Sequence, residues 1–244
     1  MLAAGEGTRM KSSLPKVLHR VCGRTLIDHV VSTLENAGIT RIVVTVGFGR
    51  EAVVEELLEM HPEVSIVVQE EQLGTGHASQ VALAAIPDEC SEVGIFSGDT
   101  PLLAVTTIFA LTREHRERSA AATILTAEID DPAGYGRVIR DRDGYLSRVV
   151  EEKDANREER AIREINAGTY LFNREALSRA LQGLTNDNAQ GEYYLPDAIS
   201  LLRRQGEQVA AYTAPEAVDE VLGVNTIEQL REAEQILLAR GEMV

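Results

Sequence analysis

Gly5 and Gly7 stand in a small-residue turn, Ala3-Ala4-Gly5-Glu6-Gly7-Thr8, and three cations follow closely: Arg9, Lys11 and Lys16. Glycines in such a turn let backbone N–H groups approach an anion with no Cβ in the way. Mobile cationic side chains then add charge-assisted bonds to the same oxygens. The turn is not a Walker A loop, because no Gly-Lys-Ser/Thr closes it. It is not a dinucleotide fingerprint, because Met10 stands where a third glycine is required. A loop that wraps a nucleoside triphosphate fits. An ordinary strand-to-helix turn is the plain alternative, since Gly-x-Gly by itself is a weak signal.

Further chemistry lies downstream. Ser97-Gly98-Asp99-Thr100-Pro101 follows the apolar run Val93 to Phe96. A carboxylate at the end of a strand is a good hard-metal ligand, although it can also cap the next turn. Gln69 ends another strand-like run and leads into Gln72-Leu73-Gly74-Thr75-Gly76-His77. An amide beside open backbone can read a base edge; otherwise Thr75 caps a helix that His77 begins. Gly134-Tyr135-Gly136-Arg137, Glu151 and the run Glu164-Ile165-Asn166-Ala167-Gly168 are each compatible with turn chemistry. As a set, Gly136, Glu151 and Asn166 offer groups suited to the hydroxyls and amide of a sugar. Asn225 is either the N-cap of the last helix or a neutral second metal ligand.

Elements that could position these groups alternate along the chain. Helical patterns run over residues 26–37, 51–59, 77–85, 105–117 and 226–240, the last opened by a capping box of Thr226 and Gln229. Strand patterns run over 41–46, 65–69, 93–96 and 121–127. Alternation of this kind predicts βαβ units and a mostly parallel sheet. Beyond residue 130 the pattern changes: 137–140 and 145–151 flank Asp141-Arg142-Asp143-Gly144, a hairpin signal. Residues 154–164 are charged and read as helical or mobile, and 165–172 and 209–212 are strand-like. The expectation is one nucleotide-binding domain over 1–244, with a substrate-side lobe at roughly 130–225. Only Leu2 to Ala4 offer a strand before the glycines, where about five apolar residues are expected, so the first strand reads as cut short.

Composition narrows the class. The chain has 244 residues, 44% of them apolar, and a net charge of −15. That charge argues against a nucleic-acid partner. It also requires cations to be concentrated locally and supplemented by a divalent metal at any triphosphate site. No run of about 18 apolar residues predicts a membrane span, and no leader opens the chain. Cys22 and Cys90 match no metal spacing and read as reduced thiols of a cytoplasmic protein.

The strings Leu2-Ala3-Ala4-Gly5-x-Gly7-Thr8-Arg9-Met10 and Leu14-Pro15-Lys16 resemble the signature of the nucleotide-sugar pyrophosphorylases. Gln72 to Ala78, Asp131-Pro132-x-Gly134-Tyr135-Gly136-Arg137, Glu164-Ile165-Asn166-x-Gly168 and Asn188 to Tyr194 narrow the resemblance. They are similar to the uridylyltransferase half of the bacterial bifunctional N-acetylglucosamine-1-phosphate uridylyltransferase/glucosamine-1-phosphate acetyltransferase family, in order along the whole chain. The resemblance implies a Rossmann-like nucleotidyltransferase three-layer α/β sandwich with a mostly parallel mixed sheet. It implies Mg²⁺-dependent transfer of UMP from UTP to N-acetylglucosamine 1-phosphate, supplying cell-envelope precursors.

By position, the resemblance assigns Arg9, Lys16 and Asp99 to catalysis. Leu2, Ala3, Ala4, Gly5, Gly7, Thr8, Gln69, Gly74 and Thr75 go to the nucleotide, Gly136, Glu151 and Asn166 to the sugar, and Asp99 and Asn225 to Mg²⁺. A sister enzyme for glucose 1-phosphate with UTP or dTTP, and a catalytically silent binding module, are the rival readings. Glu6, Ser97 and Asp187 depart from the family's usual residues. The hexapeptide-repeat β-helix of the bifunctional family has no counterpart here. Acetyl transfer and the trimer contacts of that domain are therefore not expected of this chain, and no other oligomer is implied.

Overall fold

The structure is a computed structural model and describes residues 1–214 and 218–241. In chain order the strands are β1 (Leu2–Ala3), β2 (Arg20–Val21), β3 (Arg24–Thr25), β4 (Val43–Val46), β5 (Ser65–Val68), β6 (Glu92–Ile95), β7 (Ala122–Glu128), β8 (Arg137–Arg140), β9 (Leu146–Val150), β10 (Glu164–Asn173) and β11 (Val209–Thr213). The helices are α1 (Leu26–Asn36), α2 (Arg50–Met60), α3 (Thr75–Leu83), α4 (Val105–Glu117), α5 (Arg157–Arg160), α6 (Arg174–Gln182), α7 (Asp197–Arg204) and α8 (Ile227–Ala239).

β1 pairs in parallel with β4, and β4 with β5. On its other side the Leu2 amide donates to the Phe96 carbonyl at 2.8 Å, and the Gly98 amide to the Leu2 carbonyl at 2.9 Å. The two-residue β1 therefore joins the strand triplet to β6. β10 pairs antiparallel with β6 and β7, and β11 pairs parallel with β7. The order β5-β4-β1-β6-β10-β7-β11 follows, with β10 the one reversed strand. The expected mixed, mostly parallel sheet is what forms. β4 is buried along its whole length, as befits a parallel strand covered on both faces.

The hairpin expected at Asp141-Arg142-Asp143-Gly144 joins β8 and β9, with Gly144 at φ +84 and the Asp141 amide bonded to the Tyr145 carbonyl at 2.8 Å. β8 meets β10 at Arg137 and Ile165. In β10 the register against β7 shifts between Asn166 and Tyr170. Gly168 sits there at φ +72, and its amide donates to Asn166 Oδ1 at 3.2 Å. This bulge sets the direction of the Asn166 side chain.

The sequence pattern did not reveal α6, α7 or the β2–β3 hairpin. α6 starts where Asn173 Oδ1 accepts from the Ala176 amide, and it packs with α7 over β9 and β10 around Leu177, Leu181, Leu195, Ile199 and Leu202. The β2–β3 hairpin turns through Cys22 and Gly23, both at positive φ. Within the charged 154–164 stretch, α5 is a single helical turn held by a capping box of Asn156 and Glu159. No helix among the described residues is long and apolar enough to cross a membrane. A cavity of about 460 Å³, lined by Ile42, Val93, Ile95 and Ile108 among others, opens at the starting ends of β4 and β6.

Candidate active site

The loops carrying the expected chemistry leave the C-terminal ends of parallel strands, where ligands of open α/β sheets bind. β1 runs into Ala4-Gly5-Glu6-Gly7, β6 into Ser97-Gly98-Asp99, and β5 into Gln69. The amides of Gly5, Glu6 and Gly7 have no acceptor among the described residues, so they remain open to an anion. Gly7 sits at φ +67, and a Cβ there would lie 2.6 Å from Lys16 Cβ. Glycine is required at Gly7 for both the backbone angle and the approach of Lys16. Thr8 opens a 3-10 turn that places Arg9 at the rim, exposed.

Four side chains converge there. The Lys16 ammonium donates to Asp99 Oδ2 and, at 3.0 Å, to Asn225 Oδ1; Arg9 Nη2 reaches the same Asn225 oxygen at 2.7 Å. The Lys16 and Asp99 side chains are only 16% and 15% exposed, so solvent does not screen them as it would a surface pair. The Asp99 carbonyl accepts from the Val224 amide at 2.8 Å, which fastens the Gly223-Val224-Asn225 segment to the Asp99 loop. Both capping alternatives fail. Ala104 is the N-cap of α4 and Thr226 that of α8, so the Asp99 and Asn225 side chains face the cluster. Lys11 does not join them; it is exposed and lies toward Glu228.

The second group assembles around Gln69. Its amide nitrogen lies 3.0 Å from the Gly74 carbonyl and 3.0 Å from His77 Nδ1, with Gly74 the N-cap of α3. Thr75 is not the cap: its hydroxyl accepts from the Leu195 amide at 3.0 Å. A Cβ on Gly74 would strike Glu192 and Tyr193 at 2.8 Å, so the loop sits flush against the 192–195 segment. The Gln69 group makes no hydrogen bond to the Lys16 cluster among the described residues. β4 separates the β5 end that carries Gln69 from the β1 end that carries the glycine turn.

The third group gathers Gly136, Glu151 and Asn166. A Cβ on Gly136 would lie 3.3 Å from Glu151 Oε1 and 3.6 Å from Asn166 Cβ. The Asn166 amide donates to the Gly136 carbonyl at 2.9 Å, and its side-chain Nδ2 to the Tyr170 hydroxyl at 2.6 Å. Burial, together with the Asp197, Asp154 and Glu192 carboxylates, pushes Glu151 up to about 7. Arg137 opposes this only partly. No hydrogen bond reaches the Glu151 carboxylate from the described residues. A buried carboxyl poised near neutrality is a hallmark of functional sites.

The nucleotidyl transferase family matches residues 1–233. The chain belongs to the nucleotidyl transferase family. Similar proteins include the Bifunctional protein GlmU of an Exiguobacterium species, 51% identical over 240 residues, and that of Halalkalibacterium halodurans, 50% identical over 240 residues. Each alignment covers 98% of this chain and 52% of the relative. The chain thus spans about half the length of these curated relatives. Among solved structures, HddC from Yersinia pseudotuberculosis aligns with a TM-score of 0.69 at 21% identity, covering 97% of both chains. Its form complexed with GMP-PN aligns at 0.68 and 20% identity. These two show the fold.

Sequence reasoning passed over several residues of this nucleotidyl transferase. Tyr135 was read as part of a turn, yet its hydroxyl is buried beside Asp99 and Arg9. Tyr170 orients Asn166, and Asp197 crowds Glu151 from the first turn of α7. Arg137, fully buried, pairs with Glu152 at 2.7 Å beneath the third group. The Gly-Tyr-Gly-Arg spacing was the available signal for Tyr135 and Arg137. α7 gave none for Asp197. Of the family departures, Ser97 donates to the Gly168 carbonyl at 3.4 Å, while Glu6 and Asp187 are exposed.

Proposed function

We propose that this nucleotidyl transferase moves UMP from UTP to N-acetylglucosamine 1-phosphate, releasing pyrophosphate. The observation that carries the reading is the meeting of Lys16, Asp99 and Asn225 at one point beside open loop amides. The Gly136–Glu151–Asn166 group lies one loop away, and the similarity to the GlmU proteins supports the choice of nucleotide and sugar. We assign the whole of 1–244 to this one activity, with the sugar held by the part from about 130 to 225. We place the reaction in the cytoplasm, where it supplies an activated amino sugar for the cell envelope.

The nucleophile is a phosphate oxygen of the sugar phosphate, already ionised at neutral pH, so no general base is needed. It forms a bond to the α-phosphorus of UTP, and the bond to the β-phosphate bridging oxygen breaks. The electron pair leaves with pyrophosphate. Leu2 to Gly5 and the Gly7–Thr8 backbone line the nucleotide, and Arg9 with the loop amides holds the departing pyrophosphate. Lys16 neutralises charge at the α-phosphoryl group. Gln69, Gly74 and Thr75 form the walls around the uracil and ribose. Gly136, Glu151 and Asn166 bind the sugar hydroxyls and acetamido group. Catalysis here is positioning plus preorganised charge.

The donor set suits Mg²⁺. Asp99 Oδ2 and Asn225 Oδ1 are hard oxygens aimed at one cation, the Lys16 ammonium. The described residues offer no cluster of three or more His, Cys, Asp or Glu that could cage a metal. A Mg²⁺ ion takes few protein ligands and completes its shell with water and substrate phosphates. Asp99 and Asn225 would hold it, and it would supply charge neutralisation between the reacting phosphates.

Pyrophosphate release from UTP tests the reading, with N-acetylglucosamine 1-phosphate and glucose 1-phosphate in parallel, with and without chelator. The expected result is release that requires the N-acetylated sugar and Mg²⁺. Release with glucose 1-phosphate instead discards the sugar assignment. No release with either discards the activity.

A further inference from the structure

We propose that Tyr135 is a further substrate-binding residue, its hydroxyl donating a hydrogen bond to a phosphate oxygen of the sugar 1-phosphate. This rests on the reading above and extends it to a residue that reading leaves idle.

The Tyr135 hydroxyl is buried and has no hydrogen-bond partner among the described residues. Buried polar atoms in native proteins are nearly always paired, so an orphan at a site calls for a ligand. The ring packs against the main apolar cluster, which also holds Phe96, Leu103 and Val221, and this fixes where the hydroxyl points. It lies near the Asp99 carboxylate, the Arg9 guanidinium and the Gly223 backbone N–H, a donor that leaves the phenol's own proton without an acceptor. Asp99 is already engaged by Lys16, and Arg9 offers only donors. A phenol hydroxyl carries one proton to donate.

Its place along the chain selects the acceptor. The 134–136 segment runs from Arg9 to Glu151: a Cβ on Gly134 would lie 3.4 Å from Arg9 Nη1, and one on Gly136 would lie 3.3 Å from Glu151 Oε1. Tyr135 stands between them, joining the cation cluster to the sugar pocket. The ligand group that must occupy that junction is the phosphate on the sugar's anomeric carbon. Its oxygens are strong acceptors, which complement a donor with nothing to donate to.

The test is Tyr135→Phe in the full chain, which removes one oxygen and keeps the ring. The expected result is an increase of about tenfold in KM for N-acetylglucosamine 1-phosphate. The KM for UTP and the melting temperature should be unchanged. Calorimetry with N-acetylglucosamine 1-phosphate and with free N-acetylglucosamine should show weakening for the phosphorylated ligand only. An unchanged KM for the sugar phosphate overturns the proposal, as does an equal rise in both KM values with a lower melting temperature. If wild-type protein turns over only glucose 1-phosphate, the sugar assignment fails, but the same comparison with that ligand still judges Tyr135.

Discussion

Lys16 and Asp99, 83 positions apart, form an ion pair whose ammonium is shared with Asn225 at 3.0 Å. The positive charge stands where the two oxygens would receive a metal ion. On the proposed reading, lysine and metal would compete for Asp99, and substrate phosphates would resolve the competition by drawing Lys16 away. Lys16→Gln should bind Mn²⁺ more tightly than wild type without nucleotide, read by electron paramagnetic resonance, while turnover falls. Asp99→Ala should lose turnover by a factor of roughly 10²–10³, the scale of removing a main charge-stabilising element. Near wild-type pyrophosphate release from Asp99→Ala at ordinary Mg²⁺ would remove Asp99 from the mechanism.

Asn225 and Thr226 are neighbours with separable roles. Thr226 caps α8 through the Gln229 amide at 3.2 Å, while the Asn225 side chain faces Lys16 and Arg9. Thr226→Ala should cost about 1 kcal/mol of stability and leave turnover intact. Asn225→Ala should do the reverse. Urea unfolding and steady-state kinetics on both variants separate the two; matching profiles would contradict the assignment.

Glu151 carries its proton below about pH 7 and is ionised above it. An ionised carboxylate accepts more strongly from sugar hydroxyls, so KM for the sugar phosphate should fall as pH rises through 7. Glu151→Gln should flatten that dependence. Asp197→Asn should move the midpoint to lower pH by removing a neighbouring negative charge. The stability sign is fixed by the same shift. A carboxyl raised in the folded state loses stability as pH climbs from its unfolded value near 4.5 through 7. The melting temperature of Glu151→Gln should therefore exceed wild type more at pH 8 than at pH 5.

Asp28 titrates in the opposite direction. Burial pushes it up, but Arg24, bonded at 2.8 Å by two nitrogens, and His61 Nε2 at 3.0 Å outweigh burial and hold it at about 2. The stability this contributes is full above the ordinary aspartate range and is lost as pH falls toward 2. Asp28→Asn should cost about 1–3 kcal/mol at pH 7, a difference that closes near pH 2 in urea titrations. A constant difference across that range would rule out the ion network as its source.

Much of the architecture was readable because it is local. β-branched runs, the capping box at Thr226 and the Asp-Gly hairpin at Asp143-Gly144 depend on neighbours within a few residues, and each appears where expected. α6 and α7 escaped because their short amphipathic runs pack only on partners far along the chain, over β9 and β10. Lys11 was grouped with Arg9 and Lys16 by proximity in sequence. The left-handed turn at Lys11, φ +50, points the chain elsewhere.

The residues proposed for the chemistry, and the loops that carry them, were set by the sequence: Gly5 and Gly7 before Arg9 and Lys16, Asp99 after an apolar strand, Gly136 and Asn166 in short motifs. Local spacing determines such features because turns and strand ends need only nearby atoms. The tertiary structure decided which oxygens share one cation, that the Asn225 rather than the Thr226 side chain faces Lys16 and Arg9, and that burial, with the nearby Asp197, Asp154 and Glu192 carboxylates, raises Glu151. It also decided that the Tyr135 hydroxyl is buried without a hydrogen-bond partner among the described residues. Each of these depends on charge and solvent exclusion between residues distant in the chain, which only the packed sheet brings within a few ångströms.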